Sequence, residues 1–190
     1  VEFKNPYAYL KGQIVSAIEA EVSQGFHCVA CYGPMIVKRG SRRRIHFAHK
    51  ANACNVNAES ALHIIGKEIL SQLDEFTIKD PKTGRYRKIT GFLATKEAKL
   101  GPLRVDILLD FPRSQKKLVV EIAVTHHCDE NKMLEFRNMN LPAIEISLSR
   151  LDKEMFSLAD VKGEILSELR NPNWLFNEKL NEGRGKRWKW

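Results

Sequence analysis

Two apolar runs, each interrupted by a carboxylate, constrain this chain more than any other feature. From Arg104 the sequence reads Arg-Val-Asp-Ile-Leu-Leu-Asp-Phe. The turn Pro112-Arg113-Ser114-Gln115-Lys116-Lys117 follows, and then Leu-Val-Val-Glu-Ile-Ala-Val-Thr-His, ending at His126. Runs rich in Val, Ile and Leu joined by a polar turn predict a β-hairpin, or two neighbouring strands, inside a core. Asp106 and Glu121 stand where apolar side chains are expected. A buried carboxylate is costly unless a cation, a donor or a metal answers it. Two such acids on adjacent core strands suggest a shared divalent cation.

The 190 residues suit one domain with a small accessory lobe, and 43% hydrophobic residues are enough for a core. No apolar run approaches a membrane span and no secretory pattern is present, so a cytoplasmic protein is expected, with no membrane partner. The net charge of +8 points toward polyanions, most simply nucleic acid. A disulfide framework is not expected for the four cysteines, and clustered Cys and His are better read as metal ligands.

Such a cluster lies near the start. Cys28-Val-Ala-Cys31 is followed by His46-Phe-Ala-His49 and Cys54. A Cys-x-x-Cys turn lets two thiolates hold one zinc, and His49 and Cys54 can complete the tetrahedron. His49 is preferred over His46, which falls on the opposite face of a strand over 44–49. Four protein ligands make the site structural rather than catalytic. Short strands are expected at 26–29, 35–38 and 44–49. Ahead of them, Leu10, Ile14, Val15, Ile18 and Val22 fall close to a helical period, predicting a helix over 6–24.

Beyond Cys54, Ala58, Leu62, Ile65, Ile69 and Leu73 form the apolar stripe of a helix over 55–73, with Glu59, His63 and Lys67 on an adjoining stripe. Strands are expected at 76–79, 92–100 and 143–148, and helices at 128–139 and 158–169. Trp174-Leu175-Phe176 is expected to dock back on the body. Helix, several strands, helix and strand in that order make a mixed α/β architecture. Arg42-Arg43-Arg44, Arg85, Arg87 and Lys88, with the basic tail Gly183–Trp190, are candidate contacts to DNA, or to RNA.

At these residues the chain resembles the competence protein CoiA-like family and, more broadly, the PD-(D/E)xK nuclease superfamily. The matching pieces are Cys28-x-x-Cys31, His46-Phe-Ala-His49, Glu59-Ser60 with His63 and Lys67, Asp106, and Glu121-Ile-Ala. The resemblance implies a restriction-endonuclease-like core of mixed sheet flanked by helices over 55–170. A zinc-binding β lobe over 1–54 would precede it and a basic tail over 171–190 would follow. It also implies a Mg- or Mn-dependent phosphodiesterase acting on nucleic acid. In that carry-over Glu59 matches the helix acid, Asp106 the metal-binding aspartate and Glu121 the glutamate of E-x-K, all three as candidate metal ligands. The lysine position of E-x-K holds Ala123, so Lys67 or His63, or third Lys132, is expected to supply the missing group. The competing expectation is a zinc-stabilised nucleic-acid-binding module without catalysis. The sequence leaves the oligomeric state open and is compatible with a homodimer.

Overall fold

The computed structural model describes residues 5–22, 24–40, 43–50, 54, 58–153 and 156–178. The chain divides into two compact units, Val1–Ile65 with Leu151–Ser157, and Gly66–Arg150 with Leu158–Trp190. Among the described residues no helix is long and apolar enough to cross a membrane.

The first unit is a five-stranded antiparallel sheet of β1 (Tyr7–Leu10), β2 (Gln13–Ser16), β3 (Phe26–His27), β4 (Pro34–Gly40) and β5 (Arg43–His49), in the order β2-β1-β3-β4-β5. The sheet curls until Asn5 bridges Phe47 in β5. Its core is small: Phe26 and Phe47 pack ring to ring at 4.8 Å among Ala8, Cys28, Met35 and Val37. The helix expected over 6–24 does not form. Lys11 and Gly12 both take positive φ, 50° and 82°, which is the two-residue turn of a tight hairpin, and Leu10 faces Gln13 across it. The helical spacing there was a coincidence of composition, and Ile18 and Val22 are 71% and 73% exposed. The turns after β2 are tied down by the Arg39 guanidinium, which donates to the carbonyls of Ala17, Ile18 and Ala20.

The second unit holds a five-stranded sheet of β8 (Leu93–Leu100), β9 (Leu103–Phe111), β10 (Lys116–Ala123), β11 (Ala143–Ser147) and β12 (Asn173–Phe176), in the order β12-β11-β10-β9-β8. β10 and β11 are parallel and every other pair is antiparallel. The parallel pair needs a crossover, which α2 (Glu130–Asn138) supplies. Asp129 caps α2 by accepting from the Lys132 N–H at 2.9 Å. Asn140, at φ 48°, ends the segment where αL suits an asparagine. A separate hairpin pairs β6 (Glu75–Lys79) with β7 (Tyr86–Thr90).

Alternation along β10 sorts its side chains onto two faces. Val119 and Glu121 share one face, which α2 covers through the fully buried Phe136. Val120 and Ile122 lie on the other. There α1 (Ala58–Ser71) approaches so closely that a Cβ on Gly66 would stand 2.8 Å from Leu148 and 3.4 Å from Ile122. α3 (Leu158–Arg170) buries Val161, Ile165 and Leu169 and accepts the Ser147 N–H on Glu168 at 3.1 Å. β12 lies where 171–190 was expected to be a tail, and Trp174 pairs with Ile144, so this aromatic segment does return to the body. Phe136→Ala is expected to destabilise the protein by about 3–5 kcal/mol. Chemical denaturation should read that loss in the midpoint with little change in slope.

Candidate metal centre and carboxylate site

In the first unit the ligand atoms of Cys28, Cys31, His49 and Cys54 all lie within 4.8 Å of one another. Cys28 Sγ and Cys54 Sγ are 3.7 Å apart, close to the ~3.8 Å edge of a tetrahedron with ~2.3 Å zinc–sulfur bonds. Cys31 Sγ stands 3.3 Å from His49 Nε2. The turn that aims the thiols is closed by Cys28 N–H to Gly33 O at 2.9 Å and Tyr32 N–H to Cys28 O at 3.0 Å. Tyr32 takes φ 57°, and a side chain at Gly33 would crowd Cys31 Sγ at 3.2 Å. Backbone N–H groups of Ala30 and Gly33 donate to the two sulfurs. Burial pushes the Cys28 thiol up to about 11. Burial also acts on Cys31, but the Gly33 N–H and His49 outweigh it and bring that thiol down to about 7.

The donor set and spacing fit zinc, so this group could bind it. His46, the alternate ligand, instead bonds the Arg44 carbonyl through Nδ1 at 2.8 Å. All four cysteines are free thiols.

In the second unit the β9–β10 ladder is regular up to Val120 opposite Ile107. One step on, Asp106 and Glu121 stand where the next partners would be. There the side chains take over: Asp106 Oδ2 accepts the Ile122 N–H at 2.9 Å. The Asp106 charge adds to burial in raising Glu121 to about 7. Lys132 and the Asp106 N–H pull the other way without overcoming it. Glu121 is only 6% exposed; Oε2 accepts from Lys132 Nζ at 2.8 Å, while Oε1 is buried without a hydrogen bond among the described residues. Lys67 Nζ lies 3.5 Å from Asp106 Oδ1 and also bonds Glu97. An amine thus reaches the acids from each side of the sheet, Lys67 from α1 and Lys132 from α2.

Lys67 is paired with Asp106 and Lys132 with Glu121. Glu59 and His63 lie two turns and one turn earlier on the same line of α1, half-buried, and fall in the first unit. Ala123, buried on β10, carries no amine. Of the basic candidates, Arg44 and Arg85 are exposed, Arg87 lies 3.4 Å from the buried Asp80, and Lys88 pairs with Glu75 at 2.7 Å. Arg42, the Arg43 side chain and Gly183–Trp190 lie outside the described residues.

Two further acids belong here. Glu97 sits mid-strand in β8 at φ 54°, a conformation L residues rarely adopt, and joins Lys67 to Arg104, whose Nε is 2.7 Å away. Burial would raise its carboxyl, but the Lys67 bond and charge, with Arg104, hold it below the usual range. Its Thr-Lys-Glu-Ala-Lys setting looks like a solvated edge, so sequence gave no sign. Glu145, in Ile144-Glu145-Ile146, is the partner of Glu121 in the parallel ladder. It obeys the same rule as Asp106 and Glu121, an acid inside an apolar run, and could have been found by it.

Two predictions follow from these geometries. Cys31→Ala should lose about one zinc per chain by metal analysis and destabilise the fold by more than about 2 kcal/mol. Glu121 binds its proton more tightly folded than unfolded, so stability should fall as pH rises from about 4.5 to 7. Glu121→Gln should flatten that slope and gain about 1–3 kcal/mol at pH 8, read by thermal melts across the range.

Residues 11–57, which contain Cys28, Cys31, His49 and Cys54, match the family model described as Competence protein CoiA, N-terminal domain. No curated protein and no solved structure matches the chain.

Proposed function

We propose that the protein is a metal-dependent nuclease hydrolysing phosphodiester bonds of nucleic acid, most simply DNA, with a structural zinc in its first unit. The observation that carries this reading is Glu121: a buried carboxylate that feels the Asp106 charge, with one oxygen on Lys132 and the other without a hydrogen bond among the described residues. Hard oxygen donors at that place fit Mg²⁺ or Mn²⁺, and Asp106 and Glu121 would hold the ion. When bound, such an ion polarises the scissile phosphate and makes a water nucleophilic at neutral pH. Lys132 and Lys67 fill the role left vacant by Ala123. Their ammonium groups stand at the acids, where they can orient the attacking water and stabilise charge on the phosphate oxygens. The order α1, β8-β9-β10, α2, β11 supports a PD-(D/E)xK core. The similarity of residues 11–57 to the CoiA N-terminal domain supports the CoiA-like reading, and a net charge of +8 supplies salt-sensitive grip on phosphates.

The second reading, a binding module without catalysis, draws on Ala123. One experiment separates the two. With Mn²⁺ the parent chain should cut single-stranded or plasmid DNA, and EDTA should stop it. Asp106→Asn and Glu121→Gln should each lower the rate by about a hundredfold or more while low-salt DNA affinity is kept. DNA binding without cleavage by the parent would leave the binding module. Variants that cut as well as the parent would move the site elsewhere.

A further inference from the structure

Glu145 is the second buried carboxylate of the sheet, 3% exposed, and the mechanism above leaves it unused. Its oxygens are answered on three sides. Oε1 accepts from His127 Nδ1 at 2.7 Å and from Asn173 Nδ2 at 3.3 Å, and Oε2 accepts from the Cys128 N–H at 2.6 Å. A buried acid with one charge-assisted backbone bond and an amide needs no surface imidazole to be satisfied, yet it holds one. The His127 side chain is 72% exposed and has no second partner among the described residues. A carboxylate behind Nδ1 fixes the tautomer and the ring plane, leaving Nε2 for another task. This is the arrangement by which proton-transfer histidines are oriented.

The position is as telling as the pairing. Glu145 is the register partner of Glu121 on the next strand, and neighbouring strands lie ~4.8 Å apart. The Cys128 thiol, adjacent to His127, is pushed up to about 12 by burial and then by Glu121, with Glu145 adding to it, so this loop feels both acids. The imidazole therefore stands one strand from the proposed centre of hydrolysis.

We propose that His127, held by Glu145, donates the proton to the leaving oxygen of the phosphodiester. This rests on the nuclease reading. Water forms the new P–O bond and gives its proton to solvent. The P–O bond to the departing sugar breaks, and that oxygen takes the Nε2 proton of the doubly protonated imidazolium; the ring is left neutral with its proton on Nδ1 toward Glu145, and solvent then reloads Nε2. His127 is a catalytic residue in this scheme and Glu145 a positioning residue.

The test uses DNA oligonucleotides in which one linkage has sulfur for the bridging oxygen, made separately for the 3′ and 5′ sides. A thiolate leaves without needing a proton. The full chain with Mn²⁺ is compared with His127→Ala and Glu145→Gln at the same linkage. His127→Ala should lose about a hundredfold at the oxygen linkage and little at the sulfur linkage on the leaving side. Imidazole added to the buffer should restore part of the loss. Glu145→Gln should show the same pattern to a smaller degree, and the unfolding temperature of His127→Ala should stay at the parent value. Equal losses at both linkages, or none at either, would overturn the role of His127 while leaving the nuclease intact. A parent chain that cuts neither substrate would remove the nuclease reading and this inference with it.

Discussion

A carboxylate taken almost wholly out of water must be neutralised by something, and in this protein that requirement organises the second unit. Glu121 sits in the buried stretch Leu118–Ala123 of β10 and feels the charge of a second acid, Asp106. Moving an ion from water to protein costs several kcal/mol even after relaxation, so the surroundings must return it. They do so unevenly: Lys132 answers one oxygen, Lys67 stands at Asp106, and the Ile122 N–H answers the far side of Asp106. The β9–β10 ladder gives up its next rung to make room for these side chains. The remaining cost is electrostatic: burial and the Asp106 charge push the Glu121 carboxyl up to about 7. A protein selected for stability alone would have an apolar residue there.

The first unit solves a different problem. Its sheet of short strands packs few large side chains, and such a lobe gains from a cross-link that needs no core. Two thiols from a tight turn, an imidazole from β5 and a thiol beyond it converge to within 4.8 Å. The turn between Cys28 and Gly33 is built backwards from that requirement: a positive φ at Tyr32, a glycine where any side chain would touch sulfur, and N–H groups aimed at both sulfurs.

Much of the carboxylate site was legible because its signal is a violation: an acid inside an apolar run is rare enough to notice, as with Asp106 and Glu121. Glu145 carried the same signal unread. The convergence of Cys28, Cys31, His49 and Cys54 was legible for a similar reason, since Cys-x-x-Cys followed by His49 and Cys54 leaves few other uses for those residues. Periodicity served well where apolar residues faced one core, as in α1 and α3. It failed over 6–24, where five apolar residues at helical intervals outweighed one Lys-Gly turn that fixes a hairpin by backbone conformation. Glu97 was hidden because its role comes from a left-handed backbone and from Lys67, thirty residues away, neither of which leaves a mark in its own neighbourhood.

The central claim is that Asp106 and Glu121 form a place for a divalent cation. Titrating zinc-loaded protein with Mn²⁺ and following free Mn²⁺ by electron paramagnetic resonance tests it without reference to any reaction. The account predicts that the parent chain removes Mn²⁺ from solution at neutral pH and that Glu121→Gln abolishes this uptake while the zinc content stays unchanged. Equal uptake by the parent and the variant, or none by either, would contradict it.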